Sequence, residues 1–160
     1  MATLGFGGGC HWCTEAVFQA FRSVEQVEQG FIRSTAPDDD WSEAALVTFD
    51  PAVLPPEVLI EAHLLTHSAT SGHTMRGKYR SAVYVPDPVQ AADMAAIIGD
   101  LQPGFDQPLV TRVLPLVAFR PSDEQFLNYY AADPDRPFCR TYIAPKLTTL
   151  REQFGARVSA

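Results

Sequence analysis

The sequence predicts an α+β fold, a two-layer sandwich in which a mixed or antiparallel sheet is covered by helices. Apolar residues alternate in some segments and recur at helical spacing in others, and the segments follow the order β α β β α β α β α α. The second and third strands are separated only by a polar loop, so they can pair antiparallel, which strict βαβ alternation would forbid. The sandwich is expected to be ferredoxin-like. With 160 residues, 46% of them hydrophobic, the chain suits one domain over 1–160.

Thr3 to Phe6 reads as a strand, and Gly7-Gly8-Gly9 as the turn into a helix from His11 to Phe21, with Ala16, Val17, Ala20 and Phe21 at helical spacing. VEQVEQGFI is the second strand, TAPDDDW a polar loop, and SEAALVTFDP a third strand stopped at Asp50-Pro51. Pro55-Pro56-Glu57 opens a helix: proline is tolerated in a first turn and a carboxylate favours the positive end of the dipole. Val58, Leu59, Ala62 and Leu65 supply its apolar face, and it fails near His67. HSATSGHTMRGKYR has turn formers and no period, and reads as a surface loop leading into the strand SAVYV. A helix over PVQAADMAAIIGDL, a strand over LVTRVLPLVAF, a helix over DEQFLNYYAA and a last helix over PKLTTLREQF complete the order.

Acidic residues outnumber basic ones 19 to 12, for a formal charge of −7, so nothing in the balance tracks a nucleic-acid backbone. The apolar stretch Val53 to Leu65 is broken by Pro55, Glu57 and Glu61, short of the roughly 20 residues of a membrane span. Met1 stands too close to LGFGGGC to leave room for a signal sequence, which makes the cytoplasm the expected location. Three cysteines, an odd count in a chain too large to need staples, point to a working thiol.

The stretch GGGCHWC focuses that suspicion. A thiolate is the nucleophile, and a helix N-terminus favours it through unpaired N–H groups and the dipole; Cys10 occupies that place. The glycines can adopt positive φ and leave space above the sulfur for a substrate. GFGGGC begins like a dinucleotide fingerprint, but Cys10 stands where the third glycine belongs. Cys10-x-x-Cys13 with His63-x-x-x-His67 offers four zinc ligands, although roughly fifty residues separate the two pairs, more than a compact motif allows. Without a metal, one of those histidines caps a helix end and the other lies on a solvated face. CxxC after a strand also suits redox exchange, although the bulky His11-Trp12 insert argues against the thioredoxin fold.

Taken together, GGGCHWCTEAVF, VEQVEQGF, SEAALVTFDP, GKYRSAVY and PFCRTYIAPKLTTLREQF resemble the class A peptide methionine sulfoxide reductases, in family order and over nearly the whole chain. The resemblance implies that Cys10 attacks the sulfur of an S-configured sulfoxide, protein-bound or free, releases methionine and becomes a sulfenic acid. A second cysteine then condenses with it to a disulfide, and thioredoxin or a similar dithiol restores the thiols. No metal or organic cofactor is implied. Glu43 matches the family's acid, which needs a dry pocket to hold its proton. Tyr79 matches a tyrosine that bonds the sulfoxide oxygen, and Trp12 a wall for the S-methyl group. Cys139 matches a C-terminal resolving cysteine on a segment that can swing in, with Cys13 as its local rival.

The chain also departs from that family. His11 stands in place of phenylalanine, Phe31 in place of a substrate-binding tyrosine, Thr74 aligns with an aspartate, Phe126 and Leu127 replace histidine and glutamine, and the loop from His67 to Tyr79 is short. An imidazole, from His11, His67 or His73, is expected to supply part of the missing oxygen recognition or acid function. The alternatives are the same thiol chemistry on another small sulfoxide, a zinc-binding module, and a non-catalytic relative that binds methionine-rich partners.

Overall fold

The computed structural model describes residues 1–72 and 74–159, the side chains of Thr74 and Met75 excepted. His73 and the Thr74 side chain, both singled out above, lie outside the described residues. The strands are β1 (Ala2–Gly7), β2 (Val24–Arg33), β3 (Ser42–Phe49), β4 (Ala82–Val85), β5 (Arg112–Pro115) and β6 (Ala118–Pro121). The α-helices are α1 (His11–Gln19), α2 (Pro56–Thr66), α3 (Ala91–Leu101), the single turn α4 (Tyr129–Ala132) and α5 (Ala144–Phe154), with a π-helical turn at Cys139–Ile143. One mixed sheet runs β5-β4-β1-β3-β2-β6, antiparallel at every step except β4 with β5. The α+β expectation holds.

The period-two alternation of β1 divides the molecule. Leu4 and Phe6 face the helices and join Val47, Phe49, Val83 and Val85 with Val17, Phe18, Leu59, Ile60 and Leu150 in the main core. Gly5 and Gly7 face the other side, where Ile32, Ala44, Ala82 and Tyr84 form a smaller cluster with Leu114 and Phe119. A methyl on Gly5 would come within 2.6 Å of Ile32 and 2.9 Å of Tyr84, so glycine is required there by close approach.

Four sequence expectations are corrected. The strand expected over Leu109 to Phe119 is two strands, on opposite edges of the sheet. Between them Leu116 N–H donates to Val85 O (2.9 Å) and Val117 N–H to Arg33 O (3.1 Å). Consecutive amides that reach opposite edges require the sheet to curl until those edges converge. Periodicity cannot report this, because both strands read as one apolar run.

The helix expected over Asp123 to Ala132 is a 3-10 turn (Glu124–Phe126) and α4, broken by Asn128 in the left-handed region (φ 55°). The expected surface loop after His67 is held inward: Arg76 donates to the carbonyls of Gly8 and Tyr79 (2.9 Å each) and of Ser71 (2.8 Å), and Arg80 is buried. On α2 the buried face is Leu59, Ile60, Ala62, His63 and Leu64, while Leu65 points outward, because this helix packs against α1, α3 and α5 at once. Among the described residues no helix is long and apolar enough to cross a membrane.

Candidate active site

Cys10 is the N-cap of α1, and its carbonyl accepts from the amides of Cys13 (3.1 Å) and Thr14 (3.3 Å). Its half-buried sulfur therefore sits at the positive end of a helix dipole. The glycines before it work differently from the expectation. None of the three takes a positive φ. A methyl on Gly8 would press 2.4 Å from the His67 ring, one on Gly7 2.9 Å from Arg80 O, and Gly9 faces open space. Two of the glycines are thus demanded by what packs behind the turn, and the third leaves the approach clear.

Cys13, one turn on, contacts Cys10, and the two thiols share a proton. The bond to Cys13 and then burial hold Cys10 above the usual thiol range, while the Trp12 amide pulls it back. The same bond holds Cys13 below that range against its burial, helped by the Lys146 ammonium. The pair gives up one proton readily and the second reluctantly.

Glu43 projects from the end of β3 on the helix-facing side, opposite Phe31 in register. Its Oε1 accepts the His11 backbone N–H (3.2 Å) and lies 3.5 Å from His11 Nε2, while Lys78 Nζ stands 3.6 Å from Oε2. Both His11 and Glu43 are buried. His11 Nδ1 lies 2.7 Å from Gly30 O, and the ring packs edge-on to Phe31 at 5.1 Å. Tyr79 is half-buried, and the Lys78 ammonium lies 5.1 Å from its ring centroid; Tyr79 first and the Glu43 charge after it raise the lysine above its usual range.

Trp12 is gripped from three sides. Tyr129 stacks on it at 4.0 Å and 8°, Phe138 meets it edge-on at 5.4 Å, and Phe126 lies at 6.0 Å. The residue that holds Tyr129 in place, Glu15, escaped the sequence reading. Its fully buried carboxylate accepts the amides of Asn128 (3.0 Å) and Tyr129 (3.1 Å), tying the start of α4 to the nucleophile's helix. The available signal was a glutamate on an otherwise apolar helix face, which is stable only with partners.

Two cavities flank this N-terminus. The larger, about 480 Å³, is lined by His11, Trp12, Phe31, Arg120, Asp123 and Phe126. The smaller, about 50 Å³, lies among Cys10, Cys13, His63, Thr66, His67 and Lys146. His63 is buried rather than solvated, whereas His67, half-buried, is the C-cap of α2, as expected of one of the two. His67 Nδ1 donates to His63 O (2.5 Å) and its Nε2 faces Ser81 Oγ (2.8 Å). Burial brings His67 down to about 4, and burial with the neighbouring His67 holds His63 well below the usual imidazole range. The four ligands of the zinc reading thus line one cavity. Both nitrogens of His67 are committed elsewhere, however, and among the described residues no three His, Cys, Asp or Glu side chains are grouped to hold a metal ion. Cys139 lies fully buried on the π-helical turn, in the main core.

A mixed α+β fold with two thiols sharing a proton at a helix N-terminus, beside a buried carboxyl, has the construction of a thiol oxidoreductase. The chain belongs to the peptide methionine sulfoxide reductase family, whose model matches residues 2–158. It is 34% identical to the peptide methionine sulfoxide reductase MsrA of Ralstonia nicotianae, covering 100% of this chain and 94% of that protein. Mxr1 from Saccharomyces cerevisiae in reduced form superposes with a TM-score of 0.75, covering 88% of this chain and 90% of that one at 19% identity. Mxr1 in complex with Trx2 gives 0.63, covering 77% and 81%, also at 19%. At such identities the two yeast structures show a shared fold.

Proposed function

We propose that this protein reduces the S epimer of methionine sulfoxide to methionine with Cys10 as nucleophile. The observation that carries the reading is Cys10 at the N-terminus of α1, sharing a proton with Cys13 and adjoining the Glu43–His11 contact. Cys10 attacks the sulfoxide sulfur, Glu43 protonates the departing oxygen, and the product is a sulfenic acid plus methionine. Trp12 and Phe126 wall the methyl group, and Tyr79 with Lys78 completes the polar side. The larger cavity has room for the substrate side chain; the smaller, at about 50 Å³, does not.

Cys13 is the first resolving thiol, supported by its existing contact with Cys10. Delivery of Cys139 requires the π-helical turn to unwind and Phe138 to leave Trp12. A thioredoxin-like dithiol then reduces the disulfide, a step supported by the likeness to Mxr1 in its complex with Trx2. Three free cysteines suit the reducing cytoplasm. We read the chain as one domain with a ferredoxin-like centre, supported by β1α1β2β3α2β4 and the order β4-β1-β3-β2.

The test is turnover of separated S and R epimers of N-acetylmethionine sulfoxide with dithiothreitol, by wild type and Cys10→Ser. S-selective activity lost in the variant is expected; activity that survives, or favours R, sinks the reading.

A further inference from the structure

We infer that His11 and Glu43 work as one proton-holding pair, in which His11 is the positioning partner that keeps the acid supplied with its proton. The inference rests on the function proposed above and deepens it.

The geometry assigns the tautomer. Gly30 O can only accept, so His11 Nδ1, 2.7 Å away, carries a hydrogen. The carbonyl is fixed, because Gly30 pairs with Ala44 and Pro121 in the sheet, and the edge-on Phe31 ring fixes the imidazole plane. The remaining nitrogen, Nε2, therefore presents either a lone pair or a hydrogen to Glu43 Oε1 at 3.5 Å, in a site where both side chains are about nine-tenths buried. A lone pair facing a carboxylate there is repulsive, and one proton between the two atoms relieves it. The ring is thus occupied at both nitrogens, by a carbonyl and by the acid. Of the two roles expected of an imidazole here, oxygen recognition or acid function, the pair takes the second.

The charged and titratable groups around the pair come from every neighbouring element. Lys78 stands on Oε2, Cys10 and Cys13 lie on α1, and Tyr79 sits beside Lys78. Arg120 of β6, stacked 4.9 Å over Phe31, and Asp123 line the cavity that His11 faces. Among the described residues His11 alone contacts the acid through an imidazole nitrogen, Lys78 through an ammonium.

The reacting step consumes one proton. The Cys10 thiolate attacks the substrate sulfur; the S–S bond so formed breaks again as the oxygen passes to the cysteine sulfur and the sulfoxide S–O bond breaks. The oxygen takes the proton from Glu43, the cysteine sulfur is oxidised by two electrons and the substrate sulfur is reduced. The carboxylate left behind again faces Nε2, and the next proton, arriving from solvent, is held between them. Condensation of the sulfenic acid with the Cys13 thiol then releases water and needs no net proton.

Two measurements test the pair. The first is the pH profile of single-turnover reduction by wild type, His11→Phe and His11→Gln. Losing the imidazole should move the alkaline limb at least one pH unit lower, costing tenfold or more at pH 8 and less than threefold at pH 5.5. An unchanged limb, or a wild-type profile restored by glutamine, overturns the inference. The second is ¹⁵N NMR of the imidazole in wild type and Glu43→Gln. It should show hydrogen on Nδ1 throughout and a His11 titration midpoint at least one unit lower in the variant; a midpoint that does not move overturns the pair. Because NMR needs no turnover, it judges the pair even if wild type proves inactive on the S epimer, which would sink the functional reading alone.

Discussion

The two cavities beside the N-terminus of α1 differ in size and in the groups that line them. The larger is aromatic and open, with Trp12, Phe31 and Phe126 set against one buried imidazole–carboxyl contact. The smaller is tighter, with two histidines, a lysine and both sulfurs set beside Val17 and Phe18. Cys10 lines the second while its neighbours His11 and Trp12 line the first. The difference teaches a division of labour: oxygen transfer needs a dry wall and a protonated acid, whereas thiol exchange needs a confined pair of sulfurs with a cation nearby.

The largest expected effect separates the two sides through the acid. Glu43→Gln should slow the first turnover by about 10²- to 10⁴-fold, the usual reach of general acid catalysis. The rate at which a dithiol reduces the Cys10–Cys13 disulfide should stay unchanged. If quenched-flow shows both rates falling together, the cavities do not divide the reaction.

The converse change is Cys13→Ser. One equivalent of methionine should still form in a burst, while steady turnover with a protein dithiol drops about tenfold or more, the exchange step having lost its nearest thiol. Full steady turnover, with a Cys10–Cys139 disulfide found by mass spectrometry, would move the resolving role to Cys139.

The smaller cavity should also govern acid stability. His67 is held down to about 4 by burial, against about 6.5 when unfolded. A depressed histidine binds protons mainly in the unfolded state, so its contribution is complete above pH 6.5 and is lost as pH falls from there towards 4. The loss amounts to about 3 kcal/mol. Urea titrations from pH 7.5 to 4 should show His67→Gln with a slope shallower by that much. Parallel slopes would mean that His67 is solvated.

The smallest effect probes the turn between the cavities. Gly8→Ala puts a methyl 2.4 Å from the His67 ring and should cost about 1–3 kcal/mol, the usual penalty of overpacking. Adding His67→Ala should recover much of it. A Gly8→Ala protein of wild-type stability would show that the ring yields freely.

Local patterns carried much of this. Cys10 at a helix mouth was legible because glycines, a period-two strand and a period-3.6 helix meet there, and α2 began at Pro56 as its first-turn residues required. The burial of His63 was not legible, since a histidine two turns into an amphipathic helix looks the same whether it faces water or Phe6 and Phe18. Glu15 was missed for the same reason: its partners are amides more than a hundred residues away.

The sequence by itself determined the order of elements, the class of sheet and helices, and the thiol at the start of α1, because these depend on spacing and on neighbours along the chain. Only the tertiary structure decided that Leu116 and Val117 cross between sheet edges. It alone seated the broken segment at Asn128 on Glu15 and turned His11 towards Glu43 rather than solvent. These are contacts between residues distant in sequence, set by sheet curvature and by the demand that every buried polar group find a partner, and neither is written in any local period.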